Sequence, residues 1–173
     1  PYCNIGLFLI NQNVQELVYL VILKLLTDKI YHMISFKKIR YKNFLSTGNI
    51  PIEVELDKSH TTLIVGSNGS GKSTLLDALC YALFNKPFRI IKKDQMVNTI
   101  NNGDTIVEVE FDVGTKKYMI RRGIRPNLFE IYENDKLINQ DASSIDYQKY
   151  LEQNIMKLNY RSFIQVVILG SSS

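Results

Sequence analysis

The sequence of 173 residues is poor in the residue types that build cross-linked or metal-centred proteins. It contains no tryptophan, two cysteines and two histidines. Two cysteines are too few for a disulfide framework, and neither Cys3 nor Cys80 has the spacing of a metal ligand. Cys80 falls in an apolar helical pattern, where a buried structural cysteine is expected. The composition excludes disulfide-rich scaffolds and fits a reducing, intracellular setting.

Long hydrophobic runs are also missing. Polar residues interrupt the apolar stretch of residues 7–32, and nothing reaches the roughly 20 apolar residues of a membrane span. The same stretch lacks the basic start and the cleavage site of a signal peptide. We therefore expect no membrane partner and a cytoplasmic location. We predict that Met33 is the biological start, that residues 1–32 are a non-native upstream segment, and that residues 14–26 form a short helix.

Charge is only slightly unbalanced, with 21 Lys and Arg against 17 Asp and Glu. A net charge of +4 permits contact with nucleic acid without requiring it. Two groups of basic residues are candidates for neutralising DNA phosphates, and solvated, charge-protected strand edges explain them equally well. Arg89 and its neighbours have a third possible role, framing a nucleotide base. The first group is Lys86, Arg89, Lys92 and Lys93, and the second is Lys116, Lys117, Arg121, Arg122 and Arg125.

From Met33 onward, the hydrophobic pattern predicts an α/β domain over residues 33–173. Alternating or apolar runs predict strands near residues 35–44, 50–57 and 61–66, and an antiparallel β meander over 105–138. Residues 72–84 are apolar nearly all round and predict a buried helix, ended by Asn85 and Pro87. A helix is predicted over 144–155, capped by Ser143 or Ser144. The apolar run FIQVVIL predicts a further strand over 163–169.

Residues 66–74, GSNGSGKST, contain the complete motif G-x-x-x-x-G-K-[ST] between a predicted buried strand and a predicted helix. Glycines allow the backbone to curl so that successive N–H groups converge on one anion, and the helix N-terminus adds partial positive charge. The motif assigns Lys72 to the β- and γ-phosphates, the Ser73 hydroxyl to Mg²⁺ and the Thr74 hydroxyl to the α-phosphate. The cofactor-binding set is Asn68, Gly69, Ser70, Gly71, Lys72, Ser73 and Thr74, with Lys72 the catalytic candidate.

Hydrolysis requires more than this loop, because a carboxylate must help hold Mg²⁺ and a further group must orient the attacking water. No apolar strand ending in Asp follows residue 74. Asp77 lies in the predicted helix, where a favourable contact with the helix dipole is its simpler role. We therefore expect these residues to bind ATP without hydrolysing it by themselves.

The motif and its surroundings resemble those of the SMC-like ATPases, which include the SbcC-type repair ATPases. Asn43-Phe44 and Ser46 match the "NF.S" element of that family, and the stretch from Asn68 to Ala78 matches its loop and helix. The stretches LFNKPFR, KKYMIRRGIRPNLFEIY and SFIQVVILG are similar in order and spacing to the phage recombination-endonuclease branch. The resemblance covers roughly residues 34–173.

The resemblance implies a P-loop ATPase head of the ABC type, its N-terminal half, with a mixed central sheet and an antiparallel β insert. It implies ATP and Mg²⁺ as cofactors, a head-to-head homodimer, a coiled coil, a metal-dependent nuclease subunit, and double-stranded DNA ends bound without sequence preference. The signature motif, the Mg²⁺ carboxylate and the catalytic glutamate would belong to the C-terminal half. Leu45 stands where many relatives carry a basic residue, and Ser171 or Gln165 stands near the position of their Mg²⁺-contacting glutamine.

The function expected from the sequence is therefore that of the ATPase subunit of a DNA-end-processing exonuclease complex. Within the fold, the alternative is a chromosome-organising or RecF/RecN-like ATPase without a nuclease partner. Two other classes are a transport ATP-binding cassette and a nucleotide-binding regulator that never hydrolyses.

Overall fold

Alternating apolar and polar residues build one antiparallel sheet, on which a buried helix packs. The computed structural model describes residues 34–59, 64–65, 67–138 and 143–166. Residues 1–32, most of the predicted strand 61–66, and Gly66 lie outside the described residues. The strands are β1 (Ile34–Lys42), β2 (Ile52–Glu55), β3 (Thr105–Val113), β4 (Lys116–Ile124), β5 (Leu128–Glu133) and β6 (Lys136–Leu137), and the helices are α1 (Lys72–Phe84), α2 (Ser144–Tyr150) and α3 (Tyr160–Val166).

The strand order is β2-β1-β3-β4-β5-β6, and every pairing among these described strands is antiparallel. The meander predicted over residues 105–138 is confirmed as β3 to β6. One row of side chains crosses four strands in register: Ile39, Val109, Ile120 and Ile131, each at most 1% exposed. The period of two along each strand places these residues on one face, which becomes the core side of the sheet.

The opposite face of the sheet carries a row of alternating charges. Glu108 of β3 lies between Arg40 of β1, at 3.7 Å, and Arg121 of β4, at 3.1 Å. Arg121 also contacts Glu130 of β5 at 3.6 Å. Opposite charges directly across neighbouring strands stabilise the pairing, each by about 0.2–1 kcal/mol. The outer face is therefore largely neutralised by its own ion pairs.

Helix α1 forms where predicted, and every residue from Thr74 to Phe84 is buried. Asn85 ends the helix in the left-handed conformation, with φ 58°, and its N–H donates to the Tyr81 carbonyl at 2.9 Å. Two of the remaining carbonyl groups receive donors from other elements. Arg122 Nε of β4 donates to the Ala82 carbonyl at 3.0 Å, and Gln148 Nε2 of α2 donates to the Leu83 carbonyl at 2.9 Å. The last turn of α1 is thus capped by the meander and by α2.

Arg122 is the buried centre of this contact, at 4% exposed. Its second terminal nitrogen donates to Gln148 Oε1 at 2.7 Å, and its guanidinium lies over the Phe129 ring, 3.7 Å from the centroid. Burial lowers the pKa of Arg122 to about 10, so the side chain is charged at neutral pH. The guanidinium therefore joins β4, β5, α1 and α2 through one set of contacts.

Helix α2 begins as predicted from the sequence. The Ser143 side chain accepts a hydrogen bond from the Asp146 N–H, so Ser143, rather than Ser144, is the N-cap. The helix continues into a π-helical turn, Leu151–Ile155, which together with α2 fills the predicted range of 144–155. Tyr147 and Leu151 are buried and face the core.

The strand predicted over residues 163–169 is wrong for the part that the structure describes. Residues 160–166 form the helix α3, while 167–169 and Ser171 lie outside the described residues. Asn159 begins the helix, with its side chain accepting from the Ser162 N–H at 2.9 Å and its carbonyl from the Phe163 N–H. Phe163 is fully buried, with its ring centroid 5.0 Å from that of Phe84. Gln165 is an exposed residue of this helix and does not lie in a strand.

Among the described residues, no helix has both the length and the apolar content that crossing a membrane requires.

Candidate functional site

The loop before α1 contains two glycines in the left-handed backbone region. Gly69 and Gly71 have φ of +83° and +91°, a region that only glycine adopts without strain. Apart from the chain neighbours of Gly69, no atom of the described residues lies within 4 Å of a Cβ built there, so the requirement for glycine is conformational. The Ser70 N–H donates to the Ser67 carbonyl at 3.2 Å, which closes the turn.

Helix α1 begins at Lys72 with Gly71 as its N-cap. It has no side-chain cap and no acidic residue in its first turn. A helix N-terminus without a side-chain cap presents its free backbone N–H groups and its partial positive charge to an incoming anion. Residues 67–70 are exposed, whereas Gly71, Lys72 and Ser73 are half-buried, so the loop lies at the surface over the start of the helix.

The side chains assigned from the motif lie together at this helix start. Lys72 Nζ donates to the Ser67 carbonyl at 2.8 Å, so the lysine folds back over the loop. Ser73 lies in the first turn beside it. Thr74 is buried, at 4% exposed, and its N–H donates to the Gly71 carbonyl at 3.0 Å. Of the predicted set, the structure therefore places Asn68 to Thr74 in one continuous loop and helix start, while Gly66 lies outside the described residues.

The Asn43-Phe44 element supports α1 from the side. Phe44 is fully buried and its ring stacks on Tyr81 of α1, with centroids 5.7 Å apart. Asn43 is 1% exposed and has φ 50°. Its carbonyl accepts from the Asn98 N–H at 2.9 Å and from the Thr105 hydroxyl at 2.8 Å. Asn43 therefore ties the end of β1 to the segment that leads into β3.

Asp77 has a partner that the sequence pattern did not predict. The predicted role, a contact with the helix dipole, is wrong because Asp77 lies beyond the first turn and is fully buried. Arg89 donates its backbone N–H to Asp77 Oδ1 at 2.9 Å and its Nε to Oδ2 at 2.7 Å. This paired fork fixes the loop after α1 against the helix itself. An aspartate in an apolar helix, followed by an arginine just past the helix end, is the signal that could have found the pair.

Replacing Arg89 with alanine should destabilise the fold by about 3 kcal/mol, because it leaves the buried Asp77 carboxylate with only the backbone donor. Lys92→Ala is the matched control, since Lys92 is an exposed cation of the same loop. Urea unfolding followed by circular dichroism measures both variants. Equal unfolding free energies for the two would contradict the assignment of Arg89.

The structure separates the basic residues into paired and unpaired positions. In the meander, Lys116 contacts Glu133 at 2.7 Å, Arg121 belongs to the charge row, and Arg125 lies 3.7 Å from Asp94. Arg122 is buried and is bonded to the Ala82 carbonyl and to Gln148. In the first group, Arg89 is occupied by Asp77. Cations of each group are therefore occupied by partners within the protein, as the charge-protected alternative expects.

Within the described ranges, no group of three or more His, Cys, Asp or Glu side chains is arranged to hold a metal ion by itself. The loop geometry suits a polyphosphate, which brings its own oxygen ligands to a metal. A half-buried serine hydroxyl at the helix start is a hard oxygen ligand of the kind that Mg²⁺ accepts. The loop and Ser73 therefore fit a nucleotide with its magnesium ion.

Comparison with known proteins gives a consistent relationship. The AAA domain family matches residues 38–173. "Exonuclease subunit 2" of Escherichia phage RB69 is 45% identical over 142 residues, which cover 81% of this chain and 25% of the relative. "DNA double-strand break repair Rad50 ATPase" of Thermoplasma volcanium is 31% identical over 140 residues, 77% of this chain and 15% of the relative. The chain thus spans about a quarter or less of the length of these curated relatives.

A solved structure described as the Smc head domain with an extended coiled coil, bound to the C-terminal domain of ScpA and derived from Pyrococcus furiosus, shares the fold. Its TM-score is 0.53 at 19% identity, covering 76% of this chain and 35% of that one. The α/β P-loop head expected from the sequence is therefore confirmed. The chain belongs to the AAA domain family and corresponds to an N-terminal part of the SMC-like and SbcC-like ATPases.

Proposed function

We propose that this chain is the ATP-binding part of the ATPase subunit of a DNA-end-processing exonuclease complex. The complex would act in recombination and double-strand-break repair, in the cytoplasm of an infected bacterial cell. The observation that carries the proposal is the 45% identity to a phage exonuclease subunit over 81% of the chain. Identity of this extent, in the segment that contains the phosphate loop, favours a shared task as well as a shared fold.

The residues from Asn68 to Thr74 hold the nucleotide in this proposal. The backbone N–H groups of the loop and of the helix start surround the phosphates, and the positive φ values of Gly69 and Gly71 make that curl possible. Lys72 leaves the Ser67 carbonyl and turns to the β- and γ-phosphates. Ser73 offers its hydroxyl to Mg²⁺, which neutralises phosphate charge when it is bound. Thr74 hydrogen-bonds the α-phosphate.

The proposal requires groups that the described residues do not supply by themselves. A carboxylate for the metal and a group that orients water would come from elsewhere in the full-length protein and from a second head in a head-to-head homodimer. ATP binding would bring two heads together and reposition a metal-dependent nuclease subunit on double-stranded DNA ends. The described part of the chain would thus bind ATP, and the assembled complex would hydrolyse it.

The test uses the full-length protein with its nuclease partner on linear duplex DNA. We expect DNA to stimulate ATP hydrolysis, and we expect digestion of the DNA to depend on ATP. Phosphate release is measured with and without DNA. Loss of labelled DNA ends is measured with and without ATP. ATP turnover that neither DNA nor the nuclease changes would contradict the proposal and favour the chromosome-organising or transport alternatives.

A further inference from the structure

A groove with a basic rim lies at the carbonyl end of α1, away from the phosphate loop at the other end of this helix. It has a volume of about 630 Å³ and is bounded by the end of α1, the turn between β4 and β5, α2 and the start of α3. Four exposed cations line it, and we call this feature the basic groove. They are Lys86, Lys93, Lys149 and Arg161.

The charges of the basic groove are compensated far less than those of the sheet. Among the described residues, Lys86, Lys93 and Arg161 make no ion pair with a carboxylate, and Lys149 has only an exposed contact with Asp146 at 3.8 Å. The one carboxylate in the groove, that of Glu152, accepts from Gln148 at 2.8 Å. By contrast, most cations of the sheet and its turns are paired with acids, among them Lys37, Lys38, Arg40, Lys42, Lys116, Arg121 and Arg125. The groove therefore gathers four exposed cations against one carboxylate.

Four other polar side chains of the groove carry hydrogen-bond donors of the kind that contact phosphate oxygens, and one of them, Asn127, also accepts from Lys93 Nζ at 3.0 Å. They are the amides and hydroxyl of Asn85, Asn127, Asn159 and Ser144. Cations beside neutral donors form a surface that holds a sugar–phosphate backbone without reading bases. Four exposed cations against one carboxylate, which is already hydrogen-bonded, make this lining favour the backbone of a polyanion such as nucleic acid.

The aromatic rings at the groove are already engaged and offer no platform for unstacked bases. Arg122 covers the Phe129 ring at 3.7 Å, and the edge of that ring meets Tyr147 with centroids 5.2 Å apart. Lys86 lies over the Tyr160 ring at 5.8 Å from its centroid. Single-strand binding depends on bases stacking on exposed aromatic faces. The groove is thus suited to a duplex whose bases stay paired.

We propose that the basic groove is the surface on which this head holds the phosphate backbone of duplex DNA. The proposal rests on the proposed function and adds to it the place of contact. It puts DNA at the end of α1 opposite the nucleotide, so that one helix has ATP at its N-terminus and DNA at its carbonyl end. Binding here is independent of sequence and weakens steeply as salt rises.

The test is the affinity of the full-length protein for a short, blunt, fluorescent duplex, measured by anisotropy over a range of NaCl concentrations. The groove variant is Lys86→Gln with Arg161→Gln. The matched control is Lys38→Gln with Arg40→Gln, which removes the same two charges from the ion-paired face of β1. We expect the groove variant to bind about tenfold more weakly, with a salt slope lower by roughly 1.8, and the control to bind as wild type does.

Each outcome has a distinct meaning. Wild-type protein that does not bind the duplex would overturn the proposed function itself, whereas binding by a groove variant equal to the control would overturn only the groove. A preference for single-stranded DNA that depends on the groove would overturn the assignment of the groove to duplex DNA. Competition for the groove by polyglutamate but not by unlabelled duplex would overturn it in favour of an acidic protein. Thermal melting checks that the variants fold. If the variant with Lys86→Gln and Arg161→Gln does not fold, the variant with Lys93→Gln and Lys149→Gln replaces it in the same measurement.

Discussion

Replacing Lys72 with alanine should lower ATP hydrolysis by the full-length protein roughly a hundredfold to a thousandfold, the loss expected when one charge-stabilising donor is removed from a reaction centre. Lys72 is the one charged side chain between Ser67 and Thr74. The loop backbone remains intact in the variant, because the positive φ values belong to Gly69 and Gly71. ATP should therefore still reach the loop, while charge that develops on the γ-phosphate loses its cation.

The measurement is steady-state phosphate release in the presence of Mg²⁺ and duplex DNA. Lys116→Ala is the matched control, because it removes a lysine from an exposed ion pair with Glu133 in the meander. We expect the control to hydrolyse ATP as wild type does. A Lys72 variant that turns over ATP at the wild-type rate would exclude this loop as the catalytic phosphate site.

The second large effect is on stability. Arg122→Ala should reduce the free energy of unfolding by about 4 kcal/mol, since it opens a cavity and leaves buried polar partners unsatisfied. The Ala82 carbonyl loses its donor at the end of α1, and Gln148 loses one of its partners. The Phe129 ring also loses the guanidinium that covers it. Urea unfolding gives the difference directly.

Arg121→Ala is an adjacent control on the same strand. Arg121 belongs to the outer charge row, where ion pairs stabilise by about 1 kcal/mol or less. Two neighbouring arginines should therefore differ several-fold in their effect on stability. If both variants lose the same free energy of unfolding, the capping role given to Arg122 is wrong.

The strongest periodic signals in the sequence predicted most of the fold. The alternation of Val107, Val109 and Phe111 with acidic residues predicted β3, and the run KKYMIRR after the Gly114 turn predicted the returning strand β4. These predictions succeeded because the sheet buries one face, so side chains of period two can be satisfied in only one orientation. The phosphate loop was predictable because its glycines are required by backbone geometry.

The prediction failed at residues 163–166, where tertiary packing overrode local preference. The run Phe163 to Val166 is rich in β-formers, yet Phe163 is buried against Phe84 and Phe36 when the segment is helical. Asn159, a favourable N-cap, was the available signal for a helix. Periodicity also could not reveal the Asp77–Arg89 pair or the contacts of Arg122, since these join residues distant along the chain.

The contacts of Arg122 also limit how the length of this chain can vary in evolution. Arg121 and Arg122 are neighbours that face opposite sides of β4, one toward the charge row and one toward α1. Inserting or deleting one residue between the Gly114 turn and this pair would exchange their sides, since the side-chain period of a strand is two. The strands could still pair, but a side chain other than Arg122 would then face the carbonyl end of α1. This is the helix whose N-terminus carries the phosphate loop. Length changes should therefore be confined to the turns at Gly114 and Asn134, and the interior of β4 should keep its length among relatives.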